Sequence, residues 1–180
     1  PVLRGLKMAV IEHPLVFKVP AQTSRDTLRN KPTWFLVAED GQGRVGVGEC
    51  SLILGLSPES EAVARTMLHD IAAKGVLDAM DVPASCPAVR FAVETAAWDL
   101  ARGGSGNIAT SPFSSGSQGI DINGLVWMGN TDSMRTQFDH LVQRGFTTLK
   151  CKVGALDWDL EHSVLREFRE RCPATEFTLR

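Results

Sequence analysis

The segment Thr147 to Gly154 reads TTLKCKVG and has the composition of a strand. A side-chain period of two places Lys150 and Lys152 on one side, with Leu149, Cys151 and Val153 on the other. The apolar set suits a covering layer of helix. Both ammonium groups are therefore expected to face the inside of a sheet or barrel near the C-terminal end of the strand, where barrel enzymes carry their active sites. Two like charges on neighbouring same-face positions disfavour having both protonated, and partial burial acts in the same direction. A lysine tuned toward neutrality can take a proton from a carbon acid as general base and return it as general acid. Spacing alone leaves a plain alternative open: both lysines reach solvent at the strand end, or pair with acids on neighbouring strands.

Other chemistry-bearing residues form no comparable pattern. Gly41, Gly43 and Gly46 fit the Gly-x-Gly-x-x-Gly spacing of a dinucleotide loop, but that pattern has meaning only when a helix follows it. Here a strand-like run, Val47 to Leu54, follows, and Asp40-Gly41 is a tight-turn signal, so the stretch reads as a hairpin. Cys50, Cys86, Cys151 and Cys172 are scattered without a Cys-x-x-Cys pair, which argues against a disulfide framework or a zinc site. His13, His69, His140 and His162 are equally dispersed.

The lysine pair needs elements to hold it. Leu6 to Ile11, Leu15 to Val19, Trp34 to Ala38 and Val45 to Cys50 read as strands of an antiparallel meander. A helix is expected to begin with Ser57 as N-cap and Pro58 at its first position. Glu59 and Glu61 then lie near its positive end, Val63, Met67 and Ile71 on its packing face, and Gly75 at its stop. A second helix is expected over residues 87 to 102, packing through Val89, Val93, Ala96 and Leu100. The small Ala92, Ala96 and Ala97 permit close approach, and Gly103-Gly104 is the stop.

Residues 105 to 119, rich in Gly, Ser, Thr and Pro, separate a first domain (1 to 104) from a second (120 to 180). In the second, strand Ile120 to Met128, helix Thr131 to Arg144, strand Thr147 to Val153, helix Asp157 to Arg171 and a strand from about Glu176 alternate. Such an order implies parallel strands with crossover helices. Met134, Phe138, Leu141 and Val142 pack the first of these helices, and Leu160, Val164, Leu165 and Phe168 the second. The acids Asp157, Asp159, Glu161, Glu167 and Glu170 are expected on a solvated face. The fold class is thus α+β followed by the first units of a (β/α) barrel. Because the sequence stops inside the next strand, at Thr178-Leu179-Arg180, the chain is expected to be truncated, a piece of a longer protein.

A 180-residue chain with 43% hydrophobic and 22% charged residues has an ordinary globular composition and can bury a core. A formal charge of -2 leaves no basic excess for a nucleic acid or an anionic membrane surface. No apolar stretch approaches the roughly 20 residues of a membrane span, and the first residues lack the order of a signal peptide. A cytoplasmic location is expected.

The succession of the meander, the segment RFAVETAAWDLARG (Arg90 to Gly103), the strand INGLVWMG (Ile122 to Gly129) and the Lys-x-Lys strand resembles the enolase superfamily, specifically its muconate-lactonizing subgroup. FKVPAQTSR (Phe17 to Arg25) and GVGECSLILGLSPE (Gly46 to Glu59) bring the resemblance nearest to the o-succinylbenzoate synthases of menaquinone biosynthesis. The resemblance covers nearly the whole chain, as an amino-terminal half.

It implies a capping domain over residues 1 to 104 and a TIM-like barrel beginning near residue 120. It also implies a carbon-oxygen lyase that dehydrates 2-succinyl-6-hydroxy-2,4-cyclohexadiene-1-carboxylate to o-succinylbenzoate, with Mg²⁺ (or Mn²⁺) stabilising the enediolate. By motif position Lys152 is the acid/base and Lys150 its electrostatic partner facing the substrate carboxylate. Thr23, Ser24 and Arg25 belong to one loop that closes over the site, and Gly55, Leu56 and Ser57 to another. Arg25 could equally be a solvated loop arginine, and Asn123 and Trp127 are weaker substrate-binding candidates.

The three metal-binding acids of the family belong to later strands, beyond Arg180, so this chain is expected to bind no metal and to be inactive alone. Its partners are then a small-molecule carboxylate substrate and the remaining barrel half. Two alternatives accompany this reading. One is an N-succinylamino acid racemase or dipeptide epimerase of the same superfamily; the other is a non-catalytic assembly module completed by a second polypeptide.

Overall fold

The computed structural model describes residues 1–22, 27–173 and 178–179. In chain order these form β1 (Leu3–Arg4), β2 (Lys7–Glu12), β3 (Leu15–Gln22), β4 (Thr27–Lys31), β5 (Thr33–Glu39), β6 (Val45–Ser51), α1 (Glu61–Lys74) and β7 (Val76–Leu77). After a 3-10 turn (Ala79–Asp81) come α2 (Pro87–Ala101), β8 (Gly124–Val126), α3 (Thr131–Gln143), β9 (Thr148–Cys151), α4 (Trp158–Arg171) and β10 (Thr178–Leu179). The chain divides into two compact units. One comprises residues 1–17 and 30–118, the other 18–29 and 119–180. Residues 18–29, which the sequence pattern groups with the first domain, cluster with the second unit.

In the first unit β2, β5 and β6 form an antiparallel sheet in the order β2-β5-β6, with Lys7 opposite Glu39 and Thr33 opposite Ser51. It departs from the expected simple meander, because β3 and the unanticipated β4 leave the sheet and pair with each other. The β5–β6 turn is a hairpin, as its Asp-Gly signal requires. Asp40 accepts from the N–H groups of Gln42 and Arg44 at 2.8 and 3.0 Å, and Gly43 takes φ +77°. The Asp40 carboxylate also accepts from Arg44 Nε at 2.7 Å and pairs with its Nη2, so that local contacts hold the turn closed.

One face of the sheet buries Trp34, Leu36, Ala38 and Cys50 against α2, whose Val89, Ala92, Val93, Ala96, Ala97 and Leu100 are all buried. The small residues allow very close approach: a Cβ added to Gly48 would lie 1.8 Å from the Ala92 carbonyl oxygen, and one added to Gly46 2.5 Å from that of Ala96. Asp99, buried near the end of α2, ties β6 to the helix exit by accepting from Val47 N–H (3.0 Å) and Gly106 N–H (2.7 Å).

Helix α1 starts later than its first serine signals. Ser60, not Ser57, is the N-cap and accepts from Val63 N–H, while Ser57 Oγ accepts from Ile53 N–H within the preceding turn. The packing face shifts accordingly to Ala64 and Leu68, with Met67 and Ile71 half-buried and Val63 45% exposed. Glu59 is buried before the helix and accepts from Ala88 N–H at 2.6 Å, so it serves the N-terminus of α2 rather than that of α1. Gly75 ends α1 at φ +63°.

In the second unit β8, β9 and β10 are parallel in the order β10-β9-β8, with Leu125 opposite Lys150 and Leu149 opposite Leu179. Parallel neighbours joined by α3 and α4 are the strand-helix-strand units that the alternating pattern requires. Val126, Met134, Phe138, Leu149, Val164 and Phe168 are fully buried in one cluster, in which the Phe138 and Phe168 rings stack with centroids 4.0 Å apart. Arg135 joins α3 to α4 through Glu167 at 2.8 Å, and Arg171 pairs with Asp139.

Candidate active site

The period of two in β9 sorts its side chains as the sequence requires. Leu149 is fully buried and Cys151 half-buried in the apolar cluster, whereas Lys150 is exposed on the opposite side. Lys152 follows the strand and extends its ladder, its N–H donating to the Val126 carbonyl oxygen at 3.0 Å. Its side chain is half-buried, and Nζ lies 3.6 Å from the centroid of the Trp127 ring. An ammonium group over an indole face is attracted by the ring quadrupole, and the contact fixes where the end of a flexible four-carbon chain rests.

Trp127 is itself held. It follows β8 directly, its N–H donates to Gln137 Oε1 of α3 at 2.9 Å, and Gln137 Nε2 donates to its carbonyl oxygen at 3.4 Å. One candidate that composition alone rates as core is thus placed against the lysine. Asn123 lies at the other end of β8, where its Nδ2 donates to the Gly124 carbonyl oxygen at 2.9 Å. Leu56 lies in the first unit, exposed in the turn closed by Leu56 N–H to Ile53 O. Thr23, Ser24 and Arg25 fall outside the described residues.

The residue that sequence reasoning misplaced is Glu161. Expected on a solvated helix face, it is only 2% exposed, while Leu160, expected in the core, is 51% exposed. Val164 and Phe168 are buried and Leu165 is half-buried, as the stripe requires, but in the first turn of the helix Glu161 faces inward in place of Leu160. Spacing carried the signal: Glu161 stands three and seven residues before Val164 and Phe168, on their face. Its carboxylate turns back over the loop after Lys152. Oε1 accepts from the N–H groups of Gly154 (2.8 Å), Ala155 (3.0 Å) and Leu156 (3.1 Å), and Oε2 from Gly154 (2.9 Å). Burial opposes ionisation, but these donors outweigh it and hold the Glu161 carboxyl below its ordinary range.

The cysteines take the opposite course. Burial pushes Cys151 up to about 11, and burial reinforced by the negative charge of Glu59 pushes Cys50 up to about 12. Both are therefore thiols at neutral pH, poor nucleophiles and poor metal ligands. Among the described residues no group of three His, Cys, Asp or Glu side chains could hold a metal ion, so the magnesium implied by the family resemblance finds no donor set among them. Among the described residues no helix is long and apolar enough to cross a membrane.

An α+β unit of antiparallel sheet and helices, followed by parallel strand-helix units with paired lysines at a strand end, defines a capping domain and the first units of a (β/α) barrel. No family model matches the chain. It is 34% identical to the o-succinylbenzoate synthase of Desulfotalea psychrophila across 99% of its own length and 57% of the relative's. The crystal structure of MenC from that organism superposes with a TM-score of 0.78 at 27% identity, covering 98% of this chain and 56% of that one. The L-Ala-D/L-Glu epimerase of Bacillus subtilis shares the fold with a TM-score of 0.76 at 18% identity, covering 99% of this chain and 53% of that one. The o-succinylbenzoate synthase of Thermosynechococcus elongatus, complexed with Mg in its active site, shares it with a TM-score of 0.70 at 24% identity, over 99% and 51% of the two chains. The chain resembles the enolase superfamily, and within it is similar to the o-succinylbenzoate synthases. It spans about half the length of the curated relative that it matches.

Proposed function

We propose that the protein containing this chain dehydrates 2-succinyl-6-hydroxy-2,4-cyclohexadiene-1-carboxylate to o-succinylbenzoate. The observation that carries this reading is the pair Lys150 and Lys152 at the C-terminal end of a parallel strand, in a chain 34% identical to an o-succinylbenzoate synthase. Lys152 Nζ takes the proton alpha to the carboxylate, leaving the electron pair delocalised as an enediolate. The Lys150 ammonium, two residues away on the same side of β9, faces the carboxylate and stabilises the charge that develops there. Departure of the 6-hydroxyl group with the proton returned from Lys152 releases water and forms the aromatic ring, so the lysine finishes as it began. Since no donor set for magnesium occurs among the described residues, the steps assigned to this chain involve its own side chains alone. The same reading has residues 1–180 by themselves without turnover.

The test is an assay of the full-length gene product against the cyclohexadiene carboxylate, N-succinylamino acids and dipeptides. The proposal expects the ultraviolet spectrum of the aromatic product to appear with the first. Racemisation or epimerisation without dehydration replaces it with the racemase or dipeptide epimerase reading.

A further inference from the structure

We propose that Glu161 is a positioning residue for Lys152: its buried carboxylate clamps the backbone that carries the lysine. Three successive backbone N–H groups, of Gly154, Ala155 and Leu156, converge on this carboxylate in the manner of an anion-binding nest, with the anion supplied from within the chain. Gly154 is two residues after Lys152, accepts a left-handed φ of +104°, and donates to both carboxylate oxygens. On its other side Lys152 is fixed by its own N–H to Val126 O. The lysine backbone is therefore tied at both ends, to β8 by the ladder and to α4 by Glu161, and its amine rests on Trp127.

Helix α4 already has a cap, because Asp157 accepts from Asp159 N–H, so the first turn of the helix does not require Glu161. What the carboxylate holds is the loop between the lysine and the helix. Placement of a reacting group to within a fraction of an ångström is what such support provides, and its loss is felt in the rate more than in the binding of substrate.

The role in catalysis rests on the proposed lyase reading, whereas the clamp can be tested without it. The measurement is trace acetylation of the full-length gene product with acetic anhydride, read by mass spectrometry as the ratio of Lys152 to Lys150 modification. Lys150 sits inside the β9 ladder and reports any general loosening of the unit. Glu161→Gln keeps the side-chain volume but faces Gly154 N–H with an amide donor; Glu161→Ala removes the clamp. The ratio is expected to rise roughly fivefold in the Ala variant, the factor that one lost hydrogen bond of ordinary strength gives, and by less in Gln. Hydrogen exchange at residues 154–156 should rise in the same order. A ratio equal to that of the unsubstituted chain in the Gln variant, with those amides exchanging freely, overturns the clamp, as does a parallel rise of both lysines. In the full-length gene product Glu161→Gln should lower kcat with little change in KM. A shifted labelling ratio with unchanged dehydration leaves the clamp standing and refutes its part in the reaction.

Discussion

Gly48 is the position where the packing of the first unit can be tested most sharply. A methyl group there meets the Ala92 carbonyl oxygen at 1.8 Å and Thr95 Oγ1 at 2.9 Å, and the nearer obstacle is helix backbone that cannot rotate away. Ordinary contact requires about twice that separation, so α2 must retreat from β6 by more than 1 Å over several turns, opening gaps along Ala92, Ala96 and Leu100. Overpacking of a core costs roughly 1–3 kcal/mol where side chains can adjust, and a backbone obstacle places Gly48→Ala at about 3 kcal/mol or above. With roughly 2–4 °C per kcal/mol for a protein of this size, the midpoint should fall by about 10 °C. Thermal unfolding followed by circular dichroism gives the midpoint, and hydrogen exchange in α2 assigns it to the first unit. Gly41→Ala is the control, since nothing lies within 4 Å of a Cβ at that exposed turn position. A Gly48→Ala midpoint within about 1 °C of the control refutes the close approach of α2 to β6.

Stability of the second unit should depend on pH through Glu161. Because its folded carboxyl lies below the ordinary value near 4.5, its contribution is present above that value and lost as pH falls through the lower folded one. Urea unfolding at pH 7 and at successive acid steps should show this loss, with Glu161→Gln less stable by roughly 1–3 kcal/mol at pH 7 and flatter below pH 4.5. Cys50 and Cys151, pushed to about 12 and about 11, should react with a thiol reagent at pH 8 far more slowly in the folded chain than in urea; mass spectrometry of the labelled sites reads this, and equal rates contradict their burial.

The lysine pair was legible because a strand has only two faces, and an alternation of Leu149, Lys150, Cys151, Lys152 leaves no freedom once one face is apolar. Helix α2 was legible for a similar reason: its alanines and valines mark the face that meets Gly46 and Gly48. Strand β4, TLRNK, was not, because it carries no apolar alternation and forms by pairing with β3. The start of α1 was misplaced at Ser57, because the hydroxyl of that serine is taken by the Ile53 N–H in the preceding turn and Ser60 caps the helix instead. Glu161 was misread because a carboxylate on an apolar stripe is expected to be solvated, and its partners are backbone groups of a loop that no side-chain pattern announces.

Turnover by the Lys152→Ala variant of the full-length gene product tests the account most directly. Dehydration of the cyclohexadiene carboxylate should fall by about 10²- to 10⁴-fold, the usual contribution of a positioned acid/base, with the circular dichroism spectrum unchanged. Turnover within about twofold of the unsubstituted enzyme would contradict the assignment of Lys152 as the group that moves the proton.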